Sequence, residues 1–193
     1  MSVLSLNKKS FLAPTFIFLC LFQSLLYAGS NDILIIESYE HSAYLWDKSY
    51  IEGIKSTMGP KFNYSEFEMD TKRKPVDQHA MMADKAWQKY QEIKPALVFL
   101  GDDAAVKFLG QRFGNTQTPV VFLGVNNGLR NYFDKRPVPL NISGVLERPM
   151  LKKSLVYLNQ LNPNIKKVAV LFDSDLTAQI TKEELFGSHE TIR

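Results

Sequence analysis

The chain has 193 residues, 45% of them hydrophobic, and a formal charge of +3. That is apolar material for one well-buried core and part of another, and no stretch has the low hydrophobicity or charge excess of a disordered tail. The small net charge and the lack of a Lys/Arg stripe argue against a nucleic-acid partner, because phosphate contacts need a dense row of cations.

Residues 1–28 open with Lys8 and Lys9, run through an apolar stretch from Phe11 to Phe22, and end at Tyr27-Ala28-Gly29-Ser30. This reads as a secretory signal peptide cleaved after Ala28. Cys20, the single cysteine, lies inside it. The mature chain would then have no thiol and no disulfide, and an oxidising compartment poses no difficulty.

Ile33 to Ile36 is an apolar run that reads as a first strand, leaving through Glu37-Ser38-Tyr39. Trp46, Tyr50, Ile51, Ile54 and Met58 recur at helical spacing before Gly59-Pro60 stops the helix. Phe62 to Met69 alternates imperfectly, as a strand near a sheet edge would, and Asp70 to Pro75 is a charged turn. Met82, Ala83, Ala86, Trp87, Tyr90 and Ile93 then repeat at three and four, an amphipathic helix ended by Lys94-Pro95.

Ala96 to Leu100, bounded by Pro95 and Gly101, is apolar on both faces and too short for a helix, which predicts a central parallel strand. Gly101 permits a sharp turn, after which Asp102 or Asp103 can cap the helix continued by Ala104, Ala105, Phe108 and Leu109. Val120 to Leu123 is another buried strand, leaving through Gly124-Val125-Asn126-Asn127-Gly128. Leu129 to Leu140 has no periodicity, Asn141 to Leu146 is a short strand, and Leu151, Leu155, Leu158 and Leu161 mark a helix ended by Asn162-Pro163. Val168 to Phe172 reads as one more strand, with the exit Asp173-Ser174-Asp175, and no clear element follows from Phe186 to Arg193.

Strands alternating with helices predict an α/β fold: a three-layer parallel sheet with helices on both faces. Three regions are expected: the signal peptide over 1–28, an α/β lobe over 29–146, and over 147–193 a hinge with the start of a similar but incomplete second lobe.

Open α/β sheets bind ligands at the carboxyl ends of their strands. The candidates are therefore Ser38, Tyr39 and Trp46, then Asp102 and Asp103, then Asn126 and Asn127, and finally Arg148 beside Glu147. All but Ser38 and Tyr39 have an ordinary alternative: helix capping for the aspartates, helix–sheet core for Trp46, a turn for Asn126-Asn127-Gly128, and pairing with Glu147 for Arg148. Asp70 to Lys74 reads as a solvated turn. Enzyme chemistry lacks a motif, since no serine sits in G-x-S-x-G and neither GDDAA nor GVNNG has the spacing or lysine of a phosphate loop. His41, His79 and His189 lack metal-ligand spacing, and no metal or cofactor is expected. A receiver domain would need acids after the first strand, where Glu37 is a poor substitute.

Ser38-Tyr39 with Trp46 and Glu52-Gly53-Ile54, Asp70-Thr71-Lys72-Arg73, Gly101-Asp102-Asp103-Ala104, and Pro119-Val120-Val121-Phe122 with Gly124-Val125-Asn126 follow in order at compatible spacings. Over about residues 32–175 this pattern resembles type I periplasmic solute-binding proteins. More narrowly, it resembles the ABC-transporter substrate-binding branch whose domain also serves as the extracytoplasmic sensor of some kinases and cyclases. The resemblance implies a periplasmic protein that captures a small polar ligand, amino-acid-like or sugar-like, between two lobes for a membrane permease. It also implies two alternatives, a sensor or partner-binding module and a truncated remnant without ligand binding.

Overall fold

The computed structural model describes residues 31–187, so the signal peptide expected over 1–28 lies outside the described residues. Five strands form one sheet in the order β2-β1-β3-β4-β5: β1 (Asp32–Glu37), β2 (Asn63–Glu68), β3 (Leu97–Gly101), β4 (Val120–Val125) and β5 (Ile142–Leu146). All neighbours are parallel. The chain thus winds one way from β1 to β2 and the other way from β3 to β5, and the reversal falls between β1 and β3. At that point the loops leaving adjacent strands diverge and open a crevice.

The period of two along the strands sorts their side chains onto two faces. Leu34, Ile36, Val98, Leu100, Val120 and Phe122 face α2 (Val76–Ile93) and α3 (Asp102–Gly114), packing with Met82, Ala83, Ala86, Ala105, Val106, Leu109 and Phe113. Ile33, Ile35 and Phe99 face α1 (Leu45–Met58) through Ile51, Tyr50, Ile54 and Met58. The three-layer parallel architecture expected from the alternation of elements is the one observed. As expected, β2 is an edge strand.

The region after β5 departs from the expected pattern. Val168 to Phe172 forms no strand; Val168 and Leu171 are exposed, and no backbone ladder receives them. A buried-strand pattern without neighbouring strands has nothing to pair with, so no second sheet begins within the described residues. Helix α4 (Leu151–Leu161) forms as expected, with no buried residue. A further helix, α5 (Leu176–Phe186), is capped by Asp175, whose carboxylate accepts the N–H of Ala178 at 2.7 Å. It buries Ile180 and Leu185 and reaches α3 of the main sheet layer. Among the described residues no helix is long and apolar enough to cross a membrane.

Candidate functional site

The loops leaving β1, β3 and β4 meet at the carboxyl rim. Ser38, fully buried, donates from Oγ to the carbonyl of Gly101 at 2.7 Å and accepts from the N–H of Ala105 at 2.9 Å. The first turn of α3 is therefore capped from the β1 loop. Asp102 Oδ1 accepts the N–H of the next residue, Asp103, at 2.8 Å. It holds a left-handed backbone at φ 71, unusual for a residue with a Cβ, and Gly101 before it leaves room that a side chain would take from the Tyr50 hydroxyl.

Asp103 turns sideways. Its carboxylate accepts the N–H groups of Asn126 and Asn127 at 2.9 and 3.1 Å and the Tyr132 hydroxyl at 2.6 Å. One fully buried acid thus fixes the β4 exit to the start of α3. Burial, with the anionic Asp103 as acceptor, drives the Tyr132 phenol well above its ordinary pKa. Asn126 is buried, with Nδ2 on the carbonyl of Gly124 and Oδ1 without a hydrogen-bond partner among the described residues. Asn127 holds the following turn through Gly128 N–H and Asn131.

Tyr39, Asp102 and Asn126 all lie on this rim. The Tyr39 hydroxyl is 2.9 Å from Thr177 Oγ1, which is itself 2.9 Å from Asp102 Oδ1. Asp102 is almost fully buried, and desolvation raises its pKa to about 7. Thr177 carries no signal in the sequence, since it lies beyond the predicted elements and 75 positions from Asp102.

Beside this chain of hydroxyls is a cavity of about 400 Å³. Tyr39 comes from the β1 exit and Thr71, Lys72 and Lys74 from the β2 exit. Val76 and His79 of α2, and Ala104, Lys107 and Phe108 of α3, line its walls, and Ser174 to Leu176 and Gln179 close it. Lys72 Nζ stands 4.5 Å from the Tyr39 ring centroid and 3.1 Å from Asp175 Oδ2. Burial opposes its charge, but the Asp175 carboxylate more than compensates and raises its pKa. The stretch Asp70 to Lys74, expected to be a solvated turn, therefore contributes wall residues.

The other candidates lie differently. Trp46 is half-exposed, edge-on to Tyr50 and beside Gly124, so it is not part of the helix–sheet core. Arg148 donates to the carbonyl of Asn126 at 2.9 Å and approaches Glu184 at 3.3 Å, not Glu147. It lines a separate cavity of about 220 Å³ with Leu151, Thr181 and Leu185.

No family model and no curated protein matches the chain. Solved structures do. A conserved domain protein from Vibrio cholerae O1 biovar El Tor superposes with a TM-score of 0.59 at 15% identity, covering 80% of this chain and 51% of that one. An ABC domain in complex with L-Trp, from Streptococcus pneumoniae, superposes with a TM-score of 0.54 at 16% identity, covering 84% of this chain and 53% of that one. These likenesses bear out the parallel α/β fold. This chain spans about half the length of either structure.

Proposed function

We propose that the chain is a solute-binding component of an ABC importer that holds a small polar ligand with a carboxylate and an amine at the rim of the sheet, without transforming it. The cavity bounded by Tyr39, Lys72, Lys107 and Asp175 carries this reading. Lys72 and Lys107 offer charge to a carboxylate, Asp175 accepts from an ammonium, and Tyr39 and Phe108 supply apolar faces. Its position by the switch point between β1 and β3 is where parallel sheets hold ligands. The complex of the similar pneumococcal domain with L-Trp favours an amino acid over a sugar. The leader-like composition of residues 1–28 supports a periplasmic location, and a membrane permease is the partner this role requires.

The test is thermal unfolding of the protein with amino acids, L-Trp included, then sugars and nucleosides. A ligand at a hundred times its Kd stabilises the folded state by about 2.7 kcal/mol. A shift that Lys72→Ala abolishes supports the proposal; a folded protein that responds to none of these compounds overturns it. A second reading, a sensory or partner-binding module, draws on α4, where Val156, Tyr157 and Leu161 are exposed. Neighbouring genes for a permease and an ATPase favour the first reading, a neighbouring sensor kinase the second.

A further inference from the structure

Outside that cavity, on the α1 face of the sheet, parallel pairing gathers like charges. Glu37 at the end of β1 is the register partner of Glu68 on β2, and Glu66, two residues earlier, points to the same side. Carboxylates facing each other across strands repel. Glu37 is fully buried, which makes an anion there costlier still, and its Oε1 has no hydrogen-bond partner among the described residues. The loop after β1 returns His41 to this spot. Its Nδ1 lies 2.9 Å from Glu37 Oε2, 2.8 Å from Glu68 Oε1 and 3.9 Å from Glu66 Oε2.

We propose that Glu37, His41 and Glu66, with Glu68 beside them, form a binding site for a divalent transition metal, zinc in the first instance. One ligand atom from each of Glu37, His41 and Glu66 lies within 4.8 Å of the others. Ligands about 2.0–2.2 Å from a tetrahedral zinc stand roughly 3.3 Å apart, and the observed nitrogen–oxygen separations bracket that spacing. An imidazole nitrogen among carboxylates suits zinc better than magnesium or calcium, which prefer all-oxygen sets. A single Nδ1 proton cannot satisfy two carboxylates at once, whereas a cation held between the histidine and the carboxylates meets each of them. Lys55 pairs with Glu66 through Oε1, leaving Oε2 turned to the histidine. His41, Glu66 and Glu68 are partly exposed, so an ion can reach the site.

The experiment is Zn²⁺ titration of the full chain by calorimetry, with Co²⁺ absorption as a separate readout of coordination. One zinc per chain is expected, with affinity lowered at least about tenfold by His41→Ala and by Glu37→Gln and unchanged in Glu52→Gln. His41 lies on a partly exposed turn, so its variant tests the site even if the buried Glu37→Gln fails to fold. The unmodified chain should also give the intense visible Co²⁺ bands of a low-coordinate site. Undiminished binding in His41→Ala, no zinc binding, or only the weak spectrum of hydrated Co²⁺ would each overturn the proposal. These residues do not line the amino-acid cavity, so failure here and failure there are read independently.

Discussion

Ser38 Oγ accepts the N–H of Ala105 across 67 residues of sequence while donating to the carbonyl of Gly101. One hydroxyl thereby locks the β1 exit to the turn that starts α3, at the switch point. Ser38→Ala removes a helix cap and leaves a buried carbonyl short of a donor. We expect a loss of about 1–2 kcal/mol in denaturant unfolding, and an unchanged midpoint would show that the lock contributes nothing.

Asp103 serves the same rim from the other side. With its carboxylate removed, as in Asp103→Ala, the N–H groups of Asn126 and Asn127 and the Tyr132 hydroxyl lose a buried acceptor. The expected cost is about 3 kcal/mol or more, against roughly 1–2 kcal/mol for Tyr132→Phe. Because both changes break the same network, the double variant should lose less than the sum of the two, a coupling measurable by a double-mutant cycle. Simple additivity would mean the tyrosine bond is independent of the rest.

How much of this could be read from the sequence depends on distance along the chain. Strands β1, β3 and β4 announce themselves because each is buried on both faces and so reads as an unbroken apolar run. The same rule misplaces a strand at Val168 to Phe172, since a run cannot show whether a neighbour exists to pair with it. Helix α5 is illegible because only Ile180 and Leu185 are buried, too few to set a period. The convergence of the Tyr39, Asp102 and Asn126 loops follows from topology and was legible. The particular bonds were not: Ser38 capping α3, Asp103 bracing β4, Thr177 between Tyr39 and Asp102, and His41 among β2 carboxylates all join residues that only the folded register brings together.

Asp102 gives a pH prediction. Burial raises its pKa from 3.8 to about 7, so between those values the folded state holds a proton that the unfolded state releases. The sign follows: this group makes the protein more stable as pH falls from about 7 towards 4, and the gain is lost as pH rises through the folded pKa. Asp102→Asn keeps Oδ1 for the Asp103 N–H and Thr177, suits the left-handed backbone, and carries no titrating proton. Melting temperatures of the two proteins should draw together as pH falls towards 4 and separate most near pH 8, with the variant higher. Parallel curves across that range would show that Asp102 titrates as an ordinary carboxylate.

Gly144 tests the far side of the sheet. It pairs with Phe122 at the point where the β4–β5 register shifts, and a Cβ there would press into the carbonyl oxygen of Phe122 and lie 2.7 Å from its nitrogen. Both are backbone atoms, so no rotamer change can relieve the overlap, and a strand glycine at such a close approach is held by space. Gly144→Ala therefore has two outcomes in energy terms: β4 and β5 separate locally, or the clash is carried by the whole fold at about 1–3 kcal/mol. As an edge strand, β5 has one partner to lose, so local separation is the lower-cost route. Hydrogen exchange should show amide protection falling over Ile142 to Leu146 while β1 and β3 keep theirs; uniform loss across all strands would instead place β5 within the same cooperative unit as the core.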